Sequence, residues 1–127
     1  MELVIVVVIL ALIEYYIFGA LVGWARGKYG VSAPAVSGDP VFERYYRVQQ
    51  NTLEQLMGFI PAILIYGYYG NALIAAGLGM VFIIARIIYL YAYVADPAKR
   101  GLGFVLGWLA TIFMLFAGLW SAGRQLL

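Results

Sequence analysis

Phe42-Glu43-Arg44-Tyr45-Tyr46-Arg47-Val48-Gln49-Gln50-Asn51-Thr52-Leu53-Glu54-Gln55 is the one long polar run in a chain that otherwise reads as membrane. As a helix, this run places Arg44, Arg47, Asn51 and Glu54 at offsets of three, four and three. Two cations, an amide and a carboxylate then stack along one face. The stripe continues directly into apolar sequence. Charge carried into a bilayer is costly and turns inward, onto partners or a site, so the stripe marks a bundle interior and a candidate site together.

The rest of the composition sets the solvent and narrows the chemistry. The 127 residues are 65% hydrophobic and 11% charged, with a mean hydropathy of +0.94, which excludes a soluble globular domain. A net charge of +2 gives no footprint for nucleic acid. The chain has no His and no Cys. An imidazole base, a histidine haem ligand or metal site, a structural zinc site, a thiol nucleophile and a disulfide are therefore all excluded. Any reaction must run on Arg, Tyr, Asn and carboxylates, or on a reactive group that a substrate brings; no metal is expected.

Outward from the polar run, the chain divides into four apolar segments. Leu3 to Trp24 spans about 33 Å as a helix, enough to cross a bilayer. With Glu2 and no basic region ahead of it, this segment is expected to be retained rather than cleaved. Glu14 falls near mid-span, where a carboxyl turned into the bundle and a proton or ligand site are both readings. Gly19 and Gly23 form a small-residue pair suited to close helix packing, as do Gly103 and Gly107 further on. Ala25 to Pro40 is a polar connection, and Asp39-Pro40 has the form of a helix start, with Asp as N-cap and Pro at the first helical position. The second helix then runs from Pro40 to Tyr69. Its clean apolar part, Leu56 to Tyr69, covers only about 21 Å, so the polar half must supply part of the crossing, sheltered by other helices or subunits. Pro61 is expected to kink it. The third span follows over 71–94, carrying Arg86, Tyr89 and Tyr93 on one face. Ala95 to Arg100 is a short charged loop, and the fourth span covers 101–123. The expected fold is an all-α integral membrane bundle of four transmembrane helices, one domain over 1–127.

Charge orients the bundle. Of the eight basic residues, only Arg124 lies away from the end that carries Arg26, Lys28, Arg44, Arg47, Arg86, Lys99 and Arg100. The positive-inside rule puts both basic loops in the cytoplasm. The polar faces of the second and third helices then meet the Arg100 loop at one depth. Arg47, Arg86 and Arg100, with Arg26 nearby, make an anion site, because guanidinium forks match carboxylates. Glu54 would meet an ammonium, and Gln49 and Asn51 amides. The alternative is internal, with Glu54 paired to Arg44 or Arg47 and the cations enforcing topology.

The pattern Phe-Glu-Arg-x-Tyr-Arg-x-Gln-x-Asn-x-x-Glu over 42–54 resembles the signature of the membrane-associated glutathione transferase (MAPEG) family, which includes microsomal glutathione transferases and leukotriene C synthase. The likeness extends back through Val31-Ser32-Ala33-Pro34 and Gly38-Asp39-Pro40, and forward to Ala85-Arg86-Ile87-Ile88-Tyr89, Tyr93 and Arg100. It implies a homotrimer of four-helix bundles with glutathione, the co-substrate, at the subunit interface. Residue by residue, it implies glutathione contacts from Arg47, Asn51 and Glu54, aided by Arg26, Gln49, Arg86, Tyr89 and Tyr93. Arg100 matches the arginine that stabilises the thiolate. The missing thiol would thus arrive with the substrate, and a hydrophobic electrophile would come from the membrane.

Two departures bear on the second substrate. Gln55 stands where the eicosanoid-handling members have Tyr, and Pro61 lies further from Glu54 than their proline does. Leukotriene synthesis is not implied. The expected function is a membrane glutathione transferase, with glutathione peroxidase activity toward lipid hydroperoxides as an extension. The alternative is a non-enzymatic lipid-binding or scaffold member, which would have no need of a cation at the Arg100 position. A small transporter subunit is a third reading, and it leaves the family register unexplained.

Overall fold

The computed structural model describes every residue from Met1 to Leu127. Four long helices make up the chain: α1 (Glu2–Tyr29), α2 (Pro40–Tyr69), α3 (Ala72–Ala95) and α4 (Gly101–Gly123). Short 3-10 turns at Pro97–Lys99 and Arg124–Leu126 precede and follow α4. α2 touches all three other helices, and α3 packs on both α1 and α4. α2 and α3 therefore form the centre of the bundle.

Local chemistry explains most of these boundaries. α1 continues past Trp24, where the apolar pattern stops, because nothing from Ala25 to Tyr29 breaks a helix. It ends at Gly30, whose φ of 71° suits a residue without Cβ. The Gly30 and Val31 amides both donate to the Arg26 carbonyl. Arg26 and Lys28 thus occupy the last helical turn rather than a loop, where cations suit the helix dipole. α2 starts as the sequence predicts: Asp39 Oδ1 accepts from the Val41 and Phe42 amides, each at 2.9 Å, with Pro40 in the first turn. The helix runs on through Pro61 without a break. Asn71 caps α3 by accepting from the Ile74 amide at 3.0 Å. Asp96 does the same for Ala98 in the following turn.

α1, α3 and the segment Pro97–Leu126 are each long and apolar enough to cross a membrane. α2 is the longest helix but its first half is too polar to qualify alone. Only 32 of the 127 residues are buried, so most of the apolar content faces outward, as it must where lipid is the solvent. The chain is an integral, multi-pass membrane protein. Inside, Phe59 of α2 stacks on Phe82 of α3 with ring centroids 3.9 Å apart. Val7, Ala11, Ile63 and Met114 close around them. A smaller cluster of Phe18, Val48 and Tyr89 sits toward the basic end.

The two glycine pairs behave differently. A Cβ on Gly103 would lie 2.6 Å from the Tyr89 backbone nitrogen and 2.8 Å from the Ala85 carbonyl oxygen. The α3 and α4 backbones therefore meet here, and no larger residue fits. Gly107 continues that contact against Phe82. Gly23, in contrast, has open space where its Cβ would be. Gly103→Ala is expected to lower the thermal midpoint in detergent, by the equivalent of about 1–3 kcal/mol from overpacking. Gly23→Ala should leave it unchanged or slightly raised. Equal behaviour of the two would refute the close α3–α4 approach.

Candidate functional site

At the basic end, α2, α3 and the start of α4 enclose a polar pocket of about 290 Å³. It is lined by Arg47, Gln50, Asn51 and Glu54 from α2, Tyr89 and Tyr93 from α3, and Arg100. The α2 members lie at offsets of three, one and three, one helical stripe. Tyr89 and Tyr93, one turn apart, stack with centroids 5.5 Å apart. Arg100 immediately precedes α4 and is steadied by donating from Nη1 to the Pro97 carbonyl at 3.2 Å. No side chain caps the first amides of α4 beside it.

The pocket's charges are not spent on one another. The one ion pair in the structure joins the N-terminal amine to Glu2 at 3.2 Å. Glu54 pairs with neither Arg44 nor Arg47 within this chain. Arg44 instead donates to the Val94 carbonyl at 2.9 Å, tying α2 to the end of α3. Two free guanidiniums, one free carboxylate, two amides and two phenols face one small space. Such a set suits a ligand with several anionic or carbonyl oxygens and one ammonium.

Beneath the pocket lies a buried polar cluster. Arg86 of α3 is only 1% exposed and does not reach the cavity. Its Nη2 donates to Asn51 Oδ1 at 2.8 Å and to Thr52 Oγ1 at 3.0 Å, and its Nε donates to Thr52 at 3.2 Å. Thr52 Oγ1 in turn donates to the Val48 carbonyl at 2.8 Å. The guanidinium also lies over the Tyr89 ring, 4.2 Å from its centroid. An arginine only donates, so Asn51 must turn its oxygen toward Arg86 and its NH₂ away from it. Arg86 thereby orients two residues of the pocket without lining it. Glu14 of α1, 7% exposed, faces the same interior. Both its oxygens lack a hydrogen-bond partner, and Arg86 is the cation within its electrostatic reach.

Of the residues singled out in the sequence, the pocket brings together Arg47, Asn51, Glu54, Tyr89, Tyr93 and Arg100. Arg26 and Gln49 lie elsewhere within this chain. Arg26 donates to the Ala35 carbonyl at 2.6 Å and sits over the Phe42 ring. The Gln49 side chain packs against Gly19 of α1. The structure adds Gln50 to the pocket and Thr52 to the cluster beneath it, neither of which the sequence pattern singles out. Gln50 had a signal, since it stands three after Arg47 and four before Glu54. Thr52 had none, because a threonine inside a helix pattern reads as filler until its partner across the bundle is known. The structure contains no group of acidic side chains placed to hold a metal.

Fold and pocket together define a class: a multi-pass α-helical membrane protein with an arginine-rich polar pocket at one end of its bundle. The model of the MAPEG family matches residues 3–120, and the chain belongs to that family. It is 43% identical over 117 residues to an uncharacterised protein of Synechocystis sp., covering 92% of this chain and 85% of that one. It is 41% identical over 111 residues to human microsomal glutathione S-transferase 2, covering 86% and 75%. Against leukotriene C4 synthase of Cavia porcellus the identity is 34% over 76 residues, covering 60% and 51%.

The buried cluster makes a prediction about stability. Arg86→Met removes the only cation near Glu14 and three hydrogen bonds, and should destabilise the protein by about 3–5 kcal/mol. Glu14→Gln alone should cost far less. Adding Glu14→Gln to Arg86→Met should recover part of the loss, because it removes a carboxyl left buried without a partner. Thermal unfolding of the three variants in one detergent measures the coupling; strict additivity would show that the two residues do not interact.

Proposed function

We propose that this chain is a membrane-bound glutathione transferase, acting as a homotrimer of one four-helix domain, with its two basic loops in the cytoplasm. One observation carries the reading: the pocket gathers the pattern residues Arg47, Asn51, Glu54, Tyr89, Tyr93 and Arg100 with their charges unpaired. Glutathione has two carboxylates, an ammonium, two peptide bonds and a thiol. Arg47 and the outward NH₂ of Asn51 would take carboxylate or carbonyl oxygens, and Glu54 the ammonium. The tyrosines would supply hydroxyls and ring faces, with Arg100 left for the sulfur.

The chemistry follows from that last contact. A free thiol has a pKa near 8.5, so little thiolate exists at neutral pH. The Arg100 guanidinium and the uncapped amides of α4 both favour the anion. The thiol proton leaves to water at the pocket mouth, and the sulfur keeps the electron pair. The thiolate then attacks an electrophilic carbon of an apolar substrate drawn from the bilayer, and the leaving group departs with its bonding pair. With a lipid hydroperoxide, the same thiolate attacks the terminal oxygen and the O–O bond breaks. The alcohol takes up a proton, and a second glutathione reduces the sulfenic acid to yield disulfide and water.

The trimer reading draws on what one chain leaves uncovered. Glu54 and Arg47 are exposed, and Met57, one turn on, is 82% exposed. A carboxylate open to lipid is costly, and a second copy on this face would shelter it. Arg26 and Gln49, which the family pattern assigns to glutathione but which lie outside this chain's own pocket, would then serve a neighbour's. Arg86 enters as a positioning residue, acting through Asn51 and Tyr89.

Two substitutions test the roles. Arg100→Ala should leave glutathione affinity within a few-fold while turnover with a model electrophile falls about 100-fold. The ultraviolet thiolate absorption of the wild-type complex, expected to titrate well below pH 8.5, should vanish with it. Undiminished turnover would remove Arg100 from the mechanism. Glu54→Gln should weaken glutathione binding about tenfold or more in calorimetry; unchanged binding would return Glu54 to a structural role.

A further inference from the structure

On the face of α1 opposite Arg26, a second cavity lies near the basic end of the bundle. It is a groove of about 520 Å³, lined by Leu21 and Trp24 of α1, Tyr45 of α2 and Leu90, Tyr91 and Val94 of α3. It shares no residue with the polar pocket. Its body lies in the apolar part of α1 and α3, and its rim lies at their last turns. A ligand filling both must be apolar along its length and polar at one end.

The rim is positive. Lys28 sets its Nζ 4.9 Å from the Trp24 ring centroid and 5.5 Å from that of Tyr29. Arg44 donates to the carbonyl of Val94. Each cation thus hangs on, or beside, a residue of the lining, and neither has a carboxylate partner. Tyr45 and Tyr91 line the groove, and Tyr29 stands beside Lys28. Nearby acids do not cancel the cations. Asp96 spends Oδ1 on the Ala98 amide, and Glu43, which borders a neighbouring cavity together with Arg44, forms no ion pair with it.

We propose that this groove is a binding site for one anionic phospholipid. Its acyl chains lie along Leu21, Leu90 and Val94, and its phosphate is held by Lys28 and Arg44 with the tyrosine hydroxyls. A soluble anion would leave the apolar floor unused, and a zwitterionic lipid would leave the cations uncompensated. An aromatic belt alone anchors a helix without choosing a headgroup; two unpaired cations beside an apolar groove do choose.

The test uses the full-length protein in nanodiscs of equal phosphatidylglycerol and phosphatidylcholine, released and weighed by native mass spectrometry. Retained lipid should be enriched in phosphatidylglycerol at least about fivefold over the bulk, the effect of one basic residue near a charged surface. Lys28→Gln, an exposed and structurally mild change, should reduce the enrichment about fivefold, and Lys28→Gln with Arg44→Gln should abolish it. Leu90→Trp, which fills the floor, should remove retained lipid of both kinds. Lys99→Gln, outside the groove, should change nothing. Absence of enrichment in wild type would overturn the proposal, as would an equal loss in Lys99→Gln. Because the readout is lipid mass rather than turnover, it stands apart from the glutathione reading.

Discussion

A guanidinium sealed inside an apolar bundle must find its partners within the protein, and Arg86 finds them on α2 and on its own helix. Its hydrogen bonds fix Asn51 and Thr52 of α2, its face covers Tyr89 one turn along α3, and the buried Glu14 of α1 faces the same interior. Sliding α2 against α3 by one residue would turn Asn51 and Thr52 away and leave the cation unsatisfied in a medium that cannot solvate it. Apolar packing between membrane helices is weakly directional, since lipid tails are as apolar as leucine. The buried cluster therefore supplies a register that the Phe59–Phe82 stack and its neighbours could not. The pocket inherits that register, because Asn51 and Tyr89 belong to both.

The close backbone contact at Gly103 sets the other half of the pocket. It holds the first turn of α4 against Ala85 and Tyr89, one residue before and three after Arg86. Arg100, one turn before Gly103, is thus brought near Tyr89 by an absence of side chain rather than by an attraction. Asp96 holds the turn between, and the Pro97 carbonyl receives the Arg100 guanidinium. Two unlike devices, a polar cluster and a glycine contact, converge on Tyr89 from opposite sides.

Much of this was legible in the sequence. The Arg47–Asn51–Glu54 stripe and the Tyr89–Tyr93 face follow from helical period alone, and Asp39-Pro40 announces the start of α2 through its capping chemistry. What stayed hidden depended on which helix faces which. Period tells that Arg86 shares a face with Tyr89, but not that α2 covers its guanidinium while leaving the Tyr93 end open. Gln49 and Gln50 differ by a single step of rotation, and only the packing against Gly19 decides that Gln49 turns toward α1 and Gln50 toward the pocket. The apolar pattern ends at Trp24 and so places Arg26 in a loop; the helix outlasts the pattern, since hydropathy reports the end of the bilayer and Gly30 the end of the helix.

The exposed charges of the pocket turn this geometry into an argument about assembly. Within one chain, the buried cluster satisfies its polar atoms apart from Glu14, while Arg47, Glu54 and Arg100 stay open on one side. Exposed and unpaired, these groups lend little to the bundle itself. On the proposed reading two things complete the site together: a glutathione molecule whose charges complement the set, and a neighbouring copy that brings Arg26 and Gln49 to the open side. Ligand binding and subunit contact would then draw on the same unsatisfied groups, so each would strengthen the other.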